Sequence, residues 1–96
     1  MKEIEFSWDS AKNRENQRKH GVGFQEAATA FEDENGRLKH DPDHSEQEDR
    51  FILLGISSNL RLLVVSHTYR RDDRTIRIIT ARKATQSERK QYVEFL

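Results

Sequence analysis

The 96-residue chain contains no cysteine and a single proline, and its longest apolar runs are short. Without cysteine there is neither a disulfide framework nor a thiolate metal site, which favours a reducing compartment such as the cytoplasm. No apolar run approaches the roughly 18 residues of a membrane-spanning helix, and the start of the chain lacks the apolar stretch of a secretion signal. We therefore expect a cytoplasmic protein with no membrane segment.

The formal net charge is zero, yet the two halves of the chain carry opposite charge. Residues 1–50 contain 8 lysines and arginines against 13 acids, whereas residues 51–96 contain 9 against 4. This separation predicts a basic surface that attracts phosphates or acidic proteins. The alternative is that the two halves neutralise each other in the fold, for instance by pairing arginines with the acidic segment 41–49.

The length predicts a single domain over residues 1–96, since domains are typically about 100 to 200 residues long. Only 33% of the residues are hydrophobic, while 35% are charged. A chain of this size buries a small core. We therefore expect it to be stabilised by association with a partner, and a second copy of the chain is one candidate.

The spacing of apolar residues predicts the element order β-α-α-(β)-β-β-β-α. A short strand over residues 5–8 precedes two helices, the first over residues 10–20 and the second with an apolar face that begins at Phe24. The first helix is polar all round, so it is expected to lie on the outside, as a solvated helix or as a basic surface for RNA or a protein. Residues 37–49 have no clear period and indicate a loop or a short strand.

Three strands in series are predicted over residues 50–56, 60–68 and 75–82, and a capping box at Thr85 begins a final helix. Runs this apolar are expected in the middle of a sheet. The predicted fold class is α+β: an antiparallel sheet of three to four strands, with two N-terminal helices and one C-terminal helix on one face.

The last two predicted strands carry the residues that point most directly to chemistry. Metal-independent RNA cleavage needs a base for the 2′-hydroxyl, an acid for the leaving oxygen and cations that stabilise the phosphorane. His67 is the first candidate acid or base because imidazole titrates near neutral pH. Arg77 is the first candidate phosphate ligand, followed by Arg82.

The spacing of these two arginines raises a geometric difficulty. Arg77 and Arg82 are five positions apart, so in a regular strand they face opposite sides. Both serve one site only if the strand bends or ends before Arg82.

The run from His40 to His44 also contains two aspartates and invites a metal interpretation. Metal sites require ligands that are fixed on rigid elements, whereas this run is predicted to be a loop. We therefore predict no metal and no cofactor, with loop histidines as the simpler explanation.

Short motifs along nearly the whole chain resemble the BrnT toxins. They are Phe6-Ser7-Trp8-Asp9, Lys19-His20-Gly21-Val22, Asp41-Pro42-Asp43-His44 with Glu48 and Arg50, Leu62 to Thr68, and Ile76 to Ala84 with Glu88, Arg89 and Tyr92. The resemblance implies a RelE-like fold and the activity of a small endoribonuclease, the toxin of a type II toxin–antitoxin pair.

The resemblance also implies partners and further site residues. A BrnA-like antitoxin is expected to silence the toxin, and operator DNA is contacted only through that complex. The family pattern allows His44 to approach the basic cluster as a second acid or base. Lys19, Arg70 and Lys83 are the predicted RNA-binding residues, although Lys19 is also explained by the dipole at a helix end.

Two functions therefore compete. The first is a metal-independent endoribonuclease that cleaves RNA, with messenger RNA as the expected substrate, and inhibits translation. The second is a non-catalytic basic module that binds nucleic acid or an acidic protein. Cleavage of RNA in the presence of EDTA distinguishes the first from the second.

Overall fold

A computed structural model describes residues 3–70 and 74–96. The helices and strands are, in chain order, β1 (Glu5–Ser7), α1 (Ser10–His20), α2 (Phe24–Thr29), β2 (Arg37–His40), β3 (Arg50–Ile56), β4 (Leu62–Tyr69), β5 (Thr75–Lys83) and α3 (Gln86–Glu94). Short 3₁₀ turns follow α2, at Ala30–Glu32, and β2, at Pro42–His44. The predicted element order is confirmed, and the uncertain strand between α2 and β3 is present as β2.

The five strands form one sheet in the order β1-β5-β4-β3-β2. The apolar strand β4 lies in the centre, as predicted. The prediction of three to four antiparallel strands was wrong, because β1 adds a fifth strand that runs parallel to β5. β1 is the first strand of the chain and β5 is the last, so the two segments that pair are far apart in the sequence. Apolar periodicity within a short segment does not indicate such a pairing.

The helices pack on both faces of the sheet, so the prediction that they share one face was wrong. We call face A the side on which Phe24 and Ala27 of α2 pack against Leu63 and Val65 of β4. Face B is the opposite side, where Tyr92 of α3 packs against the other side of β4. The side chains of a strand alternate between faces, so β4 supplies both cores. Among residues 3–70 and 74–96, no helix has the length and apolarity that a bilayer crossing requires.

The polar helix α1 is held against the sheet by hydrogen bonds rather than by an apolar face. The buried Asn16 side chain donates to the carbonyl oxygens of Val22 at 2.8 Å and Ala81 at 2.7 Å, and it accepts from the Ala81 amide at 3.1 Å. Asp9 caps the first turn, and Gly21 ends the helix with φ of 70°, which glycine adopts without strain. One buried amide therefore positions a helix that lacks a hydrophobic stripe.

Candidate active site

A β-bulge in β5 removes the geometric difficulty posed by Arg77 and Arg82. Ser66 of β4 pairs with Thr80, but the next residue, His67, pairs with Ile78, so one residue of β5 is left without a partner. The extra residue reverses the alternation beyond it. Arg77 and Arg82 therefore both lie on face B.

Two arginines, Arg50 and Arg77, lie in one row across three strands of face B, beside the part of the sheet that α3 covers. Arg50 of β3 pairs with Thr68 of β4, and Thr68 pairs with Arg77 of β5. Directly paired residues share a face, and strands are about 4.8 Å apart, so the Cα atoms of Arg50 and Arg77 are separated by about 10 Å. Two guanidinium groups at this spacing are able to approach one phosphodiester from two sides.

A histidine with a carboxylate partner lies beside this row. The His44 Nδ1 atom is 2.8 Å from a carboxylate oxygen of Asp41. The His44 side chain is 67% exposed and that of Asp41 only 13% exposed. The mostly buried carboxylate orients the ring, and the Nε2 atom, which has no hydrogen-bond partner among residues 3–70 and 74–96, is available to a substrate.

Hydrogen bonds fasten this histidine loop to the start of β3. The Asp41 amide donates to the Arg50 carbonyl at 2.8 Å, and the Arg50 amide donates to the Ser45 hydroxyl oxygen at 2.9 Å. The Ser45 hydroxyl in turn donates to the Asp41 carbonyl at 2.6 Å. These bonds place His44 beside Arg50. The two residues line a pocket of about 320 Å³ together with Asp43, Glu46, Gln47 and Glu48.

His67 does not belong to this site, and the prediction that it meets Arg77 at the surface was wrong. The side chain is 0% exposed and lies on face A, opposite to Arg77. Its ring packs edge-on against Phe31, with centroids 4.7 Å apart, and it also contacts Phe51 and Tyr69. The strand that makes His67 rigid also directs it into the core, so the histidine does not contact RNA in this conformation.

Burial also changes the chemistry of His67. Its Nδ1 atom is 3.0 Å from the Val65 carbonyl oxygen, and its Nε2 atom has no hydrogen-bond partner in the described part of the chain. Desolvation lowers the pKa of His67, since an apolar environment disfavours the charged imidazolium. A neutral ring is therefore part of the aromatic core.

Arg82 lies on face B but is bound to α3. Its guanidinium donates to both carboxylate oxygens of Glu88, at 2.8 and 2.9 Å. The hydrogen bond from Arg82 is the main reason that the pKa of Glu88 falls to about 2. Glu88 also accepts from the Thr85 amide in the predicted capping box, which is confirmed. The pair joins the end of β5 to the start of α3, so the geometry favours a structural role for Arg82.

The three predicted RNA-binding residues are exposed but are spread over the molecule. Lys19 lies on α1 and lines a shallow groove beside the bulge, with Ile79 and Thr80. Arg70 follows β4, and its amide donates to the Thr75 carbonyl at 2.8 Å. Lys83 pairs with Leu63 and so lies on face A. Residues 71–73, which follow Arg70 in the sequence, are outside the described residues.

The acidic segment 41–49 pairs with histidines. His40 approaches Asp49 at 3.3 Å, as His44 approaches Asp41. The arginine pairs Arg18–Glu15, Arg61–Glu26 and Arg82–Glu88 use acids outside the segment. Within the described ranges, no three side chains of His, Asp or Glu converge on a point where a metal ion would bind.

The site contains two residues that sequence reasoning did not select. Asp41 precedes His44 by three positions, and the intervening Pro42 begins a 3₁₀ turn that brings residues three apart together. From the sequence, an ion pair with Glu48 was the simpler explanation for Arg50, whereas the structure places Arg50 at the first position of β3. The spacing of Asp41 and His44 around Pro42 was the available signal.

The family model for "ribonuclease toxin, BrnT, of type II toxin-antitoxin system" matches residues 8–88. The solved structure of the Brucella abortus ribonuclease toxin BrnT is similar to this fold, with a TM-score of 0.59. The two sequences are 23% identical, and the match covers 90% of this chain and 100% of that one. A search of curated proteins finds no significant match. Because the family model spans most of the chain, the chain belongs to the BrnT family of ribonuclease toxins from type II toxin–antitoxin systems.

Proposed function

We propose that this toxin cleaves messenger RNA at face B without a metal ion and thereby inhibits translation in the cytoplasm. The observation that carries the proposal is the oriented His44–Asp41 pair beside Arg50, which lies in the same cross-strand row as Arg77. An imidazole and two guanidinium groups around one solvent-accessible surface supply proton transfer and charge stabilisation.

The reaction uses the nucleophile that RNA itself carries. Glu48, which lines the same pocket as His44, accepts the proton of the 2′-hydroxyl, and the oxygen attacks the adjacent phosphorus. Arg50 and Arg77 hold the non-bridging oxygens as negative charge develops on the phosphorane. His44, oriented by Asp41, gives a proton to the departing 5′-oxygen. The products are a 2′,3′-cyclic phosphate and a 5′-hydroxyl.

The partners proposed for this activity follow from the family. Membership in a type II system implies an antitoxin, and we infer that a BrnA-like protein neutralises this toxin. The toxin contacts operator DNA only through that complex, in which two copies of the toxin are expected. Lys19, Arg70 and Lys83 are exposed and remain proposed contacts to the RNA backbone outside the cleaved phosphate.

The test is a cleavage assay with purified toxin and end-labelled RNA in excess EDTA. We expect cleavage and a 2′,3′-cyclic phosphate at the new 3′ end. The matched control is the same RNA with a single 2′-deoxynucleotide at the cleaved position, which is expected to remain intact there.

Three results would contradict the proposal in different ways. Loss of cleavage in EDTA, restored by a divalent cation, would indicate metal chemistry at the loop from His40 to His44. Cleavage of the deoxy substrate would show that the 2′-hydroxyl is not the nucleophile. Salt-sensitive binding without scission would instead support the non-catalytic basic module.

A further inference from the structure

A groove between β2 and α3 is separate from the row formed by Arg50 and Arg77. It measures about 200 Å³ and is lined by Arg37, Leu38, Lys39, Ile52, Leu54, Gln91 and Phe95. Leu38 is 53% exposed and Phe95 is 63% exposed. Leu38 pairs with Leu53, so its side chain lies on face A. The apolar surface of the groove on face B is formed by Ile52, Leu54 and the exposed Phe95.

The β2 strand forms one edge of the sheet. Among the strands of the described residues it pairs with β3 alone, and all four of its residues are exposed. The outer backbone amides and carbonyls of such a strand are able to pair with an extended segment of another chain. The apolar groove lies next to that edge, so an added strand is able to place alternate side chains in it.

The charges of the groove limit what binds there. Arg37 and Lys39 are the charged residues of its lining, and the Arg37 guanidinium lies 3.4 Å from the centroid of the Phe95 ring. This contact holds the positive charge at the rim above the apolar floor. The complementary ligand is an extended peptide with both acidic and apolar side chains.

Two other occupants fit less well. A second copy that paired its own β2 here would bring Arg37 and Lys39 close to the same cations, and like charges across strands are destabilising. RNA provides phosphates for the cations, but it provides neither strand hydrogen bonds to the edge nor aliphatic side chains for the space around Ile52 and Leu54.

We propose that an acidic, apolar segment of the antitoxin binds in this groove as a sixth strand beside β2. The proposal rests on the proposed function, in which an antitoxin neutralises this chain. β2 ends at His40, and the next residue is Asp41 of the His44–Asp41 pair. A segment on this edge therefore reaches the catalytic loop, where it holds or covers His44.

The experiment measures antitoxin affinity and RNA cleavage on the same purified variants. The antitoxin encoded with this toxin is titrated into the parent, Leu38→Glu and Arg37→Glu by isothermal calorimetry. We expect each variant to bind the antitoxin at least tenfold more weakly, because each places a carboxylate on the strand with which the acidic segment pairs, Arg37→Glu in the groove on face B and Leu38→Glu on face A. Cleavage by the free variants should stay within about threefold of the parent, since neither residue belongs to the active site.

Ile4→Glu is the matched control, because Ile4 is a similarly exposed apolar residue beside the opposite edge strand, β1. It should bind the antitoxin like the parent. The proposal is overturned if Arg37→Glu and a folded Leu38→Glu bind with parental affinity. It is equally overturned if these variants lose RNA affinity instead, or if they break a toxin dimer and leave antitoxin binding intact. If the parent toxin fails to cleave RNA, the proposed function is wrong, but the affinities for the antitoxin still test the proposal about the groove.

Discussion

Two histidines lie on opposite sides of this small sheet, and they differ in every property that matters for catalysis. His67 is fully buried on face A among aromatic rings, and its Nε2 atom lacks a partner within the described residues. His44 is largely exposed near face B, and a carboxylate 2.8 Å away orients it. The first is rigid and inaccessible, whereas the second is accessible and held by a turn.

On a sheet, residues that are neighbours in sequence are often not neighbours in space. His67 is adjacent to Thr68, whose cross-strand partner is Arg77. A step of one residue along a strand moves a side chain to the other face, so His67 is directed away from Arg77. His44 is more than thirty positions from Arg77, yet the loop that carries it is fastened to the same row.

The largest expected effect is on His44. His44→Ala should lower kcat for RNA cleavage by about 10² to 10⁴, the usual contribution of a general acid or base. His40→Ala is the matched control, because His40 is also exposed and close to a carboxylate. Single-turnover assays that find equal losses in both variants would mean that the loop as a whole matters rather than the His44 imidazole.

Arg77 is expected to have the next largest effect. Arg77→Gln should reduce kcat by about 10², since one preorganised donor to the transition state is lost. The control is Arg82→Gln on the same strand and face, where the guanidinium is already bound to Glu88. Cleavage by that folded variant should change by less than about threefold. A larger loss in Arg82→Gln than in Arg77→Gln would reverse the assignment.

His67 should affect stability at acidic pH rather than cleavage. Burial lowers the pKa of His67, so the unfolded chain binds more protons than the folded chain once the pH falls below about 6.5. The free energy of unfolding should therefore decrease as the pH falls from 6.5, by at most about 1.4 kcal/mol per unit from this group. His67→Phe should remove this contribution in urea titrations at pH 7, 6 and 5.

The same variant tests the comparison between the two histidines directly. His67→Phe should keep RNA cleavage within about threefold of the parent at pH 7, because the ring does not reach face B. His40→Phe provides the exposed control for the pH series. A well-folded His67→Phe protein without cleavage would show that the buried ring takes part in catalysis.

The smallest effect is expected for the ion pair that joins β5 to α3. Glu88→Gln should lower the free energy of unfolding by about 1 kcal/mol at pH 7, because Arg82 is partly exposed and solvent weakens the pair. The pKa of Glu88 is lowered from 4.5 to about 2, mainly by Arg82. A depressed carboxyl pKa stabilises the fold above 4.5, and this contribution is lost as the pH falls toward 2.

Thermal unfolding of the parent and Glu88→Gln across this range checks the prediction. The difference between them should shrink from pH 5 to pH 2. Glu94→Gln, an exposed change at the end of α3, should be neutral. A difference that stays constant with pH would show that lost packing, rather than the charge of Glu88, accounts for the effect.

Local patterns predicted the secondary structure well. The bounds of α1 and β3 match their predicted residues, and the capping box at Thr85 begins α3. These features depend on caps, glycines and apolar periods that lie within a few residues of each other. The short motifs along the chain also predicted the BrnT family, which the family match over residues 8–88 confirms.

The site was predicted only in part. Arg77 was selected as the first phosphate ligand and is half-buried on face B, but its assumed partner His67 is buried on face A. Arg50 and Asp41 were passed over, because each gains its importance from a neighbour in space. Arg82 differs from Arg77 because of α3, since Glu88 of that helix binds the Arg82 guanidinium through both carboxylate oxygens.

Local sequence patterns were sufficient for the element order, the central position of the apolar β4 strand and membership of the BrnT family. Contacts between distant segments were needed to establish the parallel pairing of β1, the distribution of helices over both faces and which histidine lies beside Arg50. The physical reason is that caps and apolar periods act over a few residues. A bulge in β5 and the cross-strand register, in contrast, assign side chains to a face through contacts between distant segments.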